Sequence, residues 1–513
     1  MIVLGLHKDP WHNTCACLIW DTVDGPKIVQ IAQERLDRVK DSRAFPMDAI
    51  NECLGEAGLS GTHDIDHVVV DYIVDRDWKK DEAGTPCLKG TFLDSHKSVE
   101  VINHHEAHAN AVYYSSGFDK TAILIVDGRG SNMESQSLFV VDEWGLRLID
   151  KSDCVGLGMI YETVTMQIGF GLLQEGKTMG LAPYGGKHCR ILDFWGRYSG
   201  IVTDYSRYVK PGTYDPVDPI PLVTFDQKAQ AAYDVQEELE FGMMHLARHA
   251  RERTGLDHLC ISGGVGLNSV ANEKIRKAGL FKGLFINPAA SDTGIALGCA
   301  LYGWHRHGGK RLKFGPYLGP NYTFEDYHFA TRGLNPAGGF GEAVAMLAAN
   351  KIVAYFEGRS EMGPRALGHR SILMSPMVAE NKDRLNRRVK HREGFRPFAP
   401  AVPLERCSEY FDLDEPSPYM LLVPEVLPNK RSVIPAVTHV DGTARVQTLT
   451  KADNGEFYDL THAFGMATGV PVLLNTSFNV AGEPMVESPM DAVKCFRGTD
   501  IDALYMGGQL FTK

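Results

Sequence analysis

Through residues 1–310, short β-branched runs alternate with longer helical patterns, and glycine clusters stand where several of the runs end. This alternation restricts the fold more than any other feature. It builds an α/β chain, in which the loops at strand ends carry the chemistry. Strands are expected at Ile2–Leu6, Ala16–Trp20, Ile28–Ala32, Val68–Val74, Ala122–Val126 and Leu138–Val141. Helices are expected near Phe45–Glu56, Ala107–Ser115, Asp226–Arg253 and Thr293–Trp304. The punctuation reads Asp127-Gly128-Arg129-Gly130, Ser262-Gly263-Gly264-Val265-Gly266 and Ser291-Asp292-Thr293-Gly294. No internal repeat is visible in the residues.

A chain of 513 residues exceeds one core. The texture turns Gly/Pro-rich from Gly308 to Gly341, which implies domains at 1–315 and 341–513 joined by a linker at 316–340. The second domain opens on a helical pattern at Glu342–Ala349. Strands are expected at Ile352–Phe356, Ala399–Val402, Met420–Val423 and Pro471–Leu474.

Composition excludes several classes. A net charge of −11 argues against a broad nucleic-acid surface and leaves only a local basic groove open, so no nucleic-acid partner is expected. No apolar run is long enough for a membrane span. The apolar N-terminus reads as a first buried strand and not as a signal peptide. The ten cysteines have no paired framework, which fits reduced thiols in the cytoplasm. Nothing in the residues fixes an oligomeric state, and a homo-oligomer stays open.

Asn103-His104-His105-Glu106-Ala107-His108 places His104 and His108 four residues apart, on one face of a helix. The next apolar run delivers Asp127 at its end. Two imidazoles and a carboxylate can hold a divalent metal with positions left open. Asp292 is a further carboxylate, and its position alone favours capping the helix that follows. The loop Ser262–Asn268 has backbone amides that could approach phosphate, although it lacks a P-loop's GK[ST] element. Glu175–Gly185 is another glycine-rich loop and carries Lys177. In the second domain, Gly358–Arg370, Lys390-His391-Arg392 and Arg396 set basic residues among Gly, Pro and Phe, which suits anion binding. His12 follows the first strand, where a histidine is an ordinary loop residue or a general base.

In this order, these segments resemble the CmcH/NodU family of O-carbamoyltransferases, and the likeness covers essentially the whole chain. Its most specific parts are Asn103–Ala109, Glu175–Gly185, Gly358–Gly368, Arg396–Pro400 and Leu473–Asn479. The resemblance implies an N-terminal actin-like ATPase domain similar to threonylcarbamoyl-transferase subunits. It also implies a C-terminal YrdC-like α/β domain, whose KxR and SxN signature falls on Lys390, Arg392, Ser477 and Asn479. The C-terminal domain would make carbamoyl-adenylate from carbamoyl phosphate and ATP with Mg(2+). Lys390 and Arg392 would be catalytic. Arg365, Lys390, Arg392 and Asn479 would bind carbamoyl phosphate, and Ser477 and Asn479 would contact nucleotide. Gly263, Gly264, Asn268 and Lys177 would bind nucleotide in the N-terminal domain. His104, His108, Asp127 and Asp292 would hold Fe(2+), with zinc or manganese also compatible. His12 would act on the hydroxyl of a small-molecule acceptor, such as an antibiotic precursor. Two positions depart from the family: Asn13 stands where Asp is usual, and Arg129-Gly130-Ser131-Asn132 stands where many relatives carry Gly-Glu. The same two modules also admit a tRNA threonylcarbamoyl-adenosine enzyme, and an actin-like module admits a non-catalytic nucleotide binder.

Overall fold

The structure, a computed structural model, describes residues 1–8, 12–72, 92–94, 96, 98–187, 190–210 and 212–513. The chain divides into two compact units. One comprises Met1–Asp37 and Asp41–Phe314, the other Arg38–Lys40 and Gly315–Lys513.

The first unit is built on two five-stranded sheets. Strands β1 (Ile2–His7), β2 (Cys15–Trp20), β3 (Lys27–Ala32), β4 (His67–Tyr72) and β5 (Val99–Asn103) form the first, in the order β3-β2-β1-β4-β5. Residues 73 and 74 of the expected fourth strand lie outside the described residues. Helix α1 (His104–Ser116) leads from β5 into the second sheet. Its strands are β6 (Thr121–Val126), β7 (Gln136–Asp142), β8 (Gly145–Ser152), β9 (His258–Ser262) and β10 (Gly283–Ile286), in the order β10-β9-β6-β7-β8. The two sheets share one topology. Each begins with an antiparallel three-stranded meander, and two parallel strands then add to the meander's first strand. This is the duplicated actin-like α/β plan, a repeat carried by the backbone although none is visible in the residues.

Each half sends a helix into the other. Helix α1 packs on β6 and β9 of the second sheet, and α2 (Ile295–Arg306), which follows the second sheet, packs on β1 and β4 of the first. The two helices also pack on each other. The apolar interior explains this. The central strands β1, β2, β6 and β9 are buried along nearly their whole length on both faces, so each sheet needs helices on both sides. Close crossings require glycine. A Cβ on Gly298 would collide with the Ala107 carbonyl of α1, and one on Gly5 would collide with the Ala296 carbonyl of α2.

The second unit is built on an eight-stranded mixed sheet. Its strands are β11 (Asn335–Gly338), β12 (Val353–Phe356), β13 (Arg370–Met374), β14 (Ala399–Pro403), β15 (Gln447–Leu449), β16 (Leu473–Ser477), β17 (Ala503–Met506) and β18 (Gln509–Thr512), in the order β11-β18-β17-β12-β13-β16-β14-β15. Segment 316–340, expected as a linker, carries a helix at Phe324–Ala330 and the edge strand β11. Thr323 and Asp326 cap that helix reciprocally, and Pro336 is tolerated because β11 lies at the sheet edge. The strand expected at Met420–Val423 is not formed. The run is buried, but Met420 takes a left-handed backbone (φ 58°), so the chain crosses the core irregularly. Among the described residues, no helix is long and apolar enough to cross a membrane.

Candidate functional site

The carboxyl ends of the parallel strands in both halves of the first unit deliver polar residues to one place, as the topology of open α/β sheets leads one to expect. From the first sheet come His7 at the end of β1, Asp71 near the end of β4 and His104 just past β5. Asp127 follows β6, Ser262 ends β9, and Asp292 precedes α2. Helix α1 starts where it does because Asn103 accepts hydrogen bonds from the His105 and Glu106 amides, and the His104 amide donates to Ser131 Oγ at 2.8 Å. That cap fixes His104 and His108 in the first turns, with their rings 4.7 Å apart.

The ligand atoms of His104, His108, Asp127 and Asp292 all lie within 4.8 Å of one another, and all four residues are buried. Both imidazole Nε2 atoms stand 3.2 Å from Asp127 Oδ2. Asp292 Oδ1 is 3.5 Å from His104 Nε2 and 3.6 Å from His108 Nε2. Asp292 therefore does not cap the helix behind it: its carboxylate turns inward, and the cap position of that helix is Gly294. The outer nitrogens are held too. His104 Nδ1 pairs with Asp71 Oδ2 at 2.8 Å, and His108 Nδ1 with Ser262 Oγ at 3.1 Å. Asp71 Oδ1 pairs with His7 Nδ1 at 2.8 Å, so one buried carboxylate orients two rings. The Gly128 and Gly264 amides clamp Asp127 Oδ1 at 2.8 and 3.1 Å.

Burial alone would raise the Asp127 and Asp292 carboxyls, but the facing histidines hold both below the usual carboxylate range. The same balance holds Asp71 at about 2. Burial would lower His104, yet the surrounding carboxylates raise it well above an ordinary imidazole. With neutral imidazoles, Asp71, Asp127 and Asp292 are three buried carboxylates, and among the described residues no lysine or arginine pairs with them. Surplus negative charge around two nitrogen and two oxygen donors fits a divalent transition ion. His105, the third histidine of the run, turns away. Its Nδ1 pairs with Ser137 Oγ at 2.7 Å, and burial pushes the ring down to about 3.

His12 Nδ1 lies 3.6 Å from Asp292 Oδ2, beside the cluster. Gly263, at φ 89°, sits so close to Val126 that a Cβ would strike that residue's carbonyl. Gly264 gives its amide to Asp127. Asn268 caps the helix Ser269–Lys277 and exchanges hydrogen bonds with Gln236 at 3.1 and 3.0 Å. Lys177 lies over the Phe170 ring, 5.5 Å from its centre. Arg129, at the position that departs from the family, lies over Tyr214 at 5.2 Å with Nε and one Nη buried.

In the second unit, Lys390 Nζ donates to Ser477 O at 2.8 Å, Ser477 Oγ at 3.2 Å, Asn479 O at 2.9 Å and Asn479 Oδ1 at 2.6 Å. It thus ties down the turn after β16, and its hydrogens go to protein oxygens. Arg392 lies over Phe398 at 4.2 Å and donates to Asn386 Oδ1 and Pro397 O, both at 3.2 Å. Glu361 Oε1 accepts from the amides of Leu367, His369 and Arg370, which folds the loop that presents Arg365. Arg370 is fully buried and donates to backbone carbonyls, so it braces this loop. Burial, and then mutual repulsion, lowers Arg365 to about 10 and Arg392 to about 9. Arg445 shifts down for the same reasons, with Arg365, Arg392 and Arg396 as its charged neighbours. Arg365, Arg392, Arg396 and Arg445 thus form a cluster of like charge, with Arg365 Nε and Arg445 Nε buried and unpartnered among the described residues, which an anion would relieve. Arg445 escaped the sequence reading because it stands alone after an Asp-Gly turn, outside any basic run. Asp71 and His7 escaped because each ends an apolar strand with no motif around it.

Two family models match the chain: "Carbamoyltransferase N-terminus" over residues 74–209 and 222–301, and "Carbamoyltransferase C-terminus" over 344–513. The nodulation protein NolNO of Sinorhizobium fredii is 34% identical, over 98% of this chain and 79% of that protein. The nodulation protein NolO of Bradyrhizobium diazoefficiens is 36% identical, over 80% of this chain and 79% of that protein. An uncharacterized protein of Synechocystis is 31% identical, over 98% of this chain and 95% of that protein. Matches to both halves of the carbamoyltransferase model, together with this identity along nearly the whole length, establish that the chain belongs to the carbamoyltransferase family and is an enzyme of that class.

Proposed function

We propose that the enzyme is an ATP-dependent O-carbamoyltransferase. Its second unit would convert carbamoyl phosphate and ATP to carbamoyl-adenylate, and its first unit would move the carbamoyl group to a hydroxyl of a small acceptor. One observation carries this reading: a single carbamoyltransferase chain holds two buried sites of opposite sign. The arginine pocket suits phosphates, and the His/Asp cage suits a cation. Adenylation replaces a poor leaving group by a good one, and two sites let the reactive intermediate form away from the acceptor.

His104, His108, Asp127 and Asp292 would hold Fe(2+), and zinc or manganese suit the same donors. When bound, such an ion supplies Lewis acidity for the carbamoyl oxygen, where charge develops during transfer. Asp71 and Ser262 keep each ring's Nδ1 engaged, so both Nε2 lone pairs face inward. His12, beside Asp292, is placed to take the acceptor's proton. Arg365, Arg392, Arg396 and Arg445 neutralise the phosphates of carbamoyl phosphate and ATP, and Lys390 holds the Ser477–Asn479 turn that borders them. The enzyme needs no nucleic-acid partner on this reading.

The test incubates the enzyme with ATP, Mg(2+) and carbamoyl phosphate, and measures pyrophosphate together with carbamoyl-adenylate by mass spectrometry. Wild type forms both. Arg392→Ala lowers adenylate formation about 100-fold. His104→Ala adenylates within about twofold of wild type but no longer retains stoichiometric metal. Normal adenylation by Arg392→Ala, or loss of adenylation in His104→Ala, would refute the division of labour.

A further inference from the structure

Adenylation from carbamoyl phosphate does not balance without water. ATP, carbamoyl phosphate and one water give carbamoyl-adenylate, pyrophosphate and inorganic phosphate. The C-terminal site therefore has to activate water, and a base is needed. The arginines cannot serve at neutral pH. Lys390 is already committed: burial and Arg392 lower its ammonium, but its three hydrogens are shared among four protein oxygens of the Ser477–Asn479 turn.

His439 has the required geometry. The Asp441-Gly442-Thr443 turn is closed by the His439 amide donating to Thr443 O at 2.8 Å and the Gly442 amide to His439 O at 3.0 Å. Thr443 Oγ1 donates its one hydrogen to Asp441 Oδ1 at 2.7 Å, and the Thr443 amide donates to the same oxygen at 3.0 Å. The 3.0 Å contact between His439 Nδ1 and Thr443 Oγ1 must then be donated by the imidazole. Nδ1 carries the proton, and Nε2 has a bare lone pair. Nε2 is buried and has no hydrogen-bond partner among the described residues. Burial, opposed by Asp441 and reinforced by Arg445 and Lys382, lowers the ring to about 4 and keeps it neutral. The helix Glu380–Leu385, which carries Lys382 and runs on toward Lys390 and Arg392, packs on Pro435–Val437 just before His439, and Arg445 follows the same turn, so His439 stands between the segments that carry Arg392 and Arg445.

We propose that His439 is the general base of the C-terminal site, removing a proton from the water that attacks carbamoyl phosphate. The inference rests on the adenylation reading above. The water oxygen bonds to phosphorus as the bond from phosphorus to the bridging oxygen breaks. Carbamate leaves with that electron pair, and the water proton passes to Nε2. A carbamate oxygen then attacks the α-phosphorus of ATP and displaces pyrophosphate, and Nε2 returns its proton to solvent. The charge of the bound phosphate offsets Arg445 and Lys382, so Nε2 gains proton affinity when substrate is present. Asp441 and Thr443 are positioning residues that fix the tautomer.

The test uses the full chain and follows pyrophosphate release from ATP with either carbamoyl phosphate or ammonium carbamate, which bypasses the water step. His439→Gln and His439→Ala lose about 10²–10⁴-fold with carbamoyl phosphate but stay within about threefold of wild type with carbamate. Thr443→Val loses about tenfold with carbamoyl phosphate and nothing with carbamate. Wild-type rates for His439→Gln on carbamoyl phosphate would overturn the proposal and leave the adenylation reading standing. Equal loss on both substrates would make the residue structural and also overturn it. If wild type itself released no pyrophosphate with carbamate, the adenylation reading would fall, and the proposal with it.

Discussion

Glu162 shows how one buried acid can set a pH dependence of stability. It lies in the helix Leu157–Ile168, and burial, helped by the adjacent Glu175 carboxylate, raises its pKa to about 10. The folded chain thus keeps a proton that the unfolded chain releases above about pH 4.5. The stabilising contribution is complete below that value and declines as the pH rises toward 10, by roughly 1 kcal/mol per pH unit. Glu162→Gln keeps the neutral shape without the titration. We expect its denaturation midpoint to match wild type near pH 5 and to exceed it increasingly by pH 9. Equal midpoints across that range would refute the assignment. At this scale, the sequence revealed the groups that sit in motifs. His104 and His108 stand four apart on a helix, and Asp127 ends a strand. Hidden were the groups whose role depends on the far side of a fold, namely Asp71 reaching His104 and Arg445 joining Arg365.

Periodicity reports elements well where one face or a whole strand is buried. The runs at Ile2–His7, Cys15–Trp20 and Thr121–Val126 form strands, and the residues around Phe225–Thr254 form one long helix. It reports poorly where apolar chain is buried without a ladder, as at Met420–Val423, or where an edge strand is assembled from Gly and Pro, as at Asn335–Gly338. It is also silent on which glycines matter. Gly298 looks like any small residue in an apolar helix, yet α2 meets α1 there at backbone distance. Gly298→Ala has to push the helices apart. We expect a loss of about 3 kcal/mol or more, read as a lower denaturation midpoint. Metal stoichiometry should fall with it, because the two helices carry His104, His108 and the approach to Asp292. A midpoint unchanged from wild type would show that the crossing relaxes freely.

Two units with separate cores unfold as two reporters. In calorimetry of metal-stripped enzyme, ferrous or zinc ion should raise one transition, and inorganic phosphate the other. Each gain follows RT ln(1 + [L]/Kd), about 2.7 kcal/mol when the ligand is at 100 times its Kd. One ligand raising both transitions equally would place both binding sites in one cooperative body.

The duplicated plan of the first unit has a mechanical consequence. His104 and His108 open helix α1, which crosses from the first sheet onto the second, Asp127 follows a strand of the second sheet, and Asp292 stands before helix α2, which crosses back onto the first. An ion held by all four is a rivet through that crossing, and a shift of one half against the other would cost it ligands. Grip and closure must then be reciprocal. Whatever draws the halves together tightens the hold on the ion, and by the same free energy the ion draws the halves together.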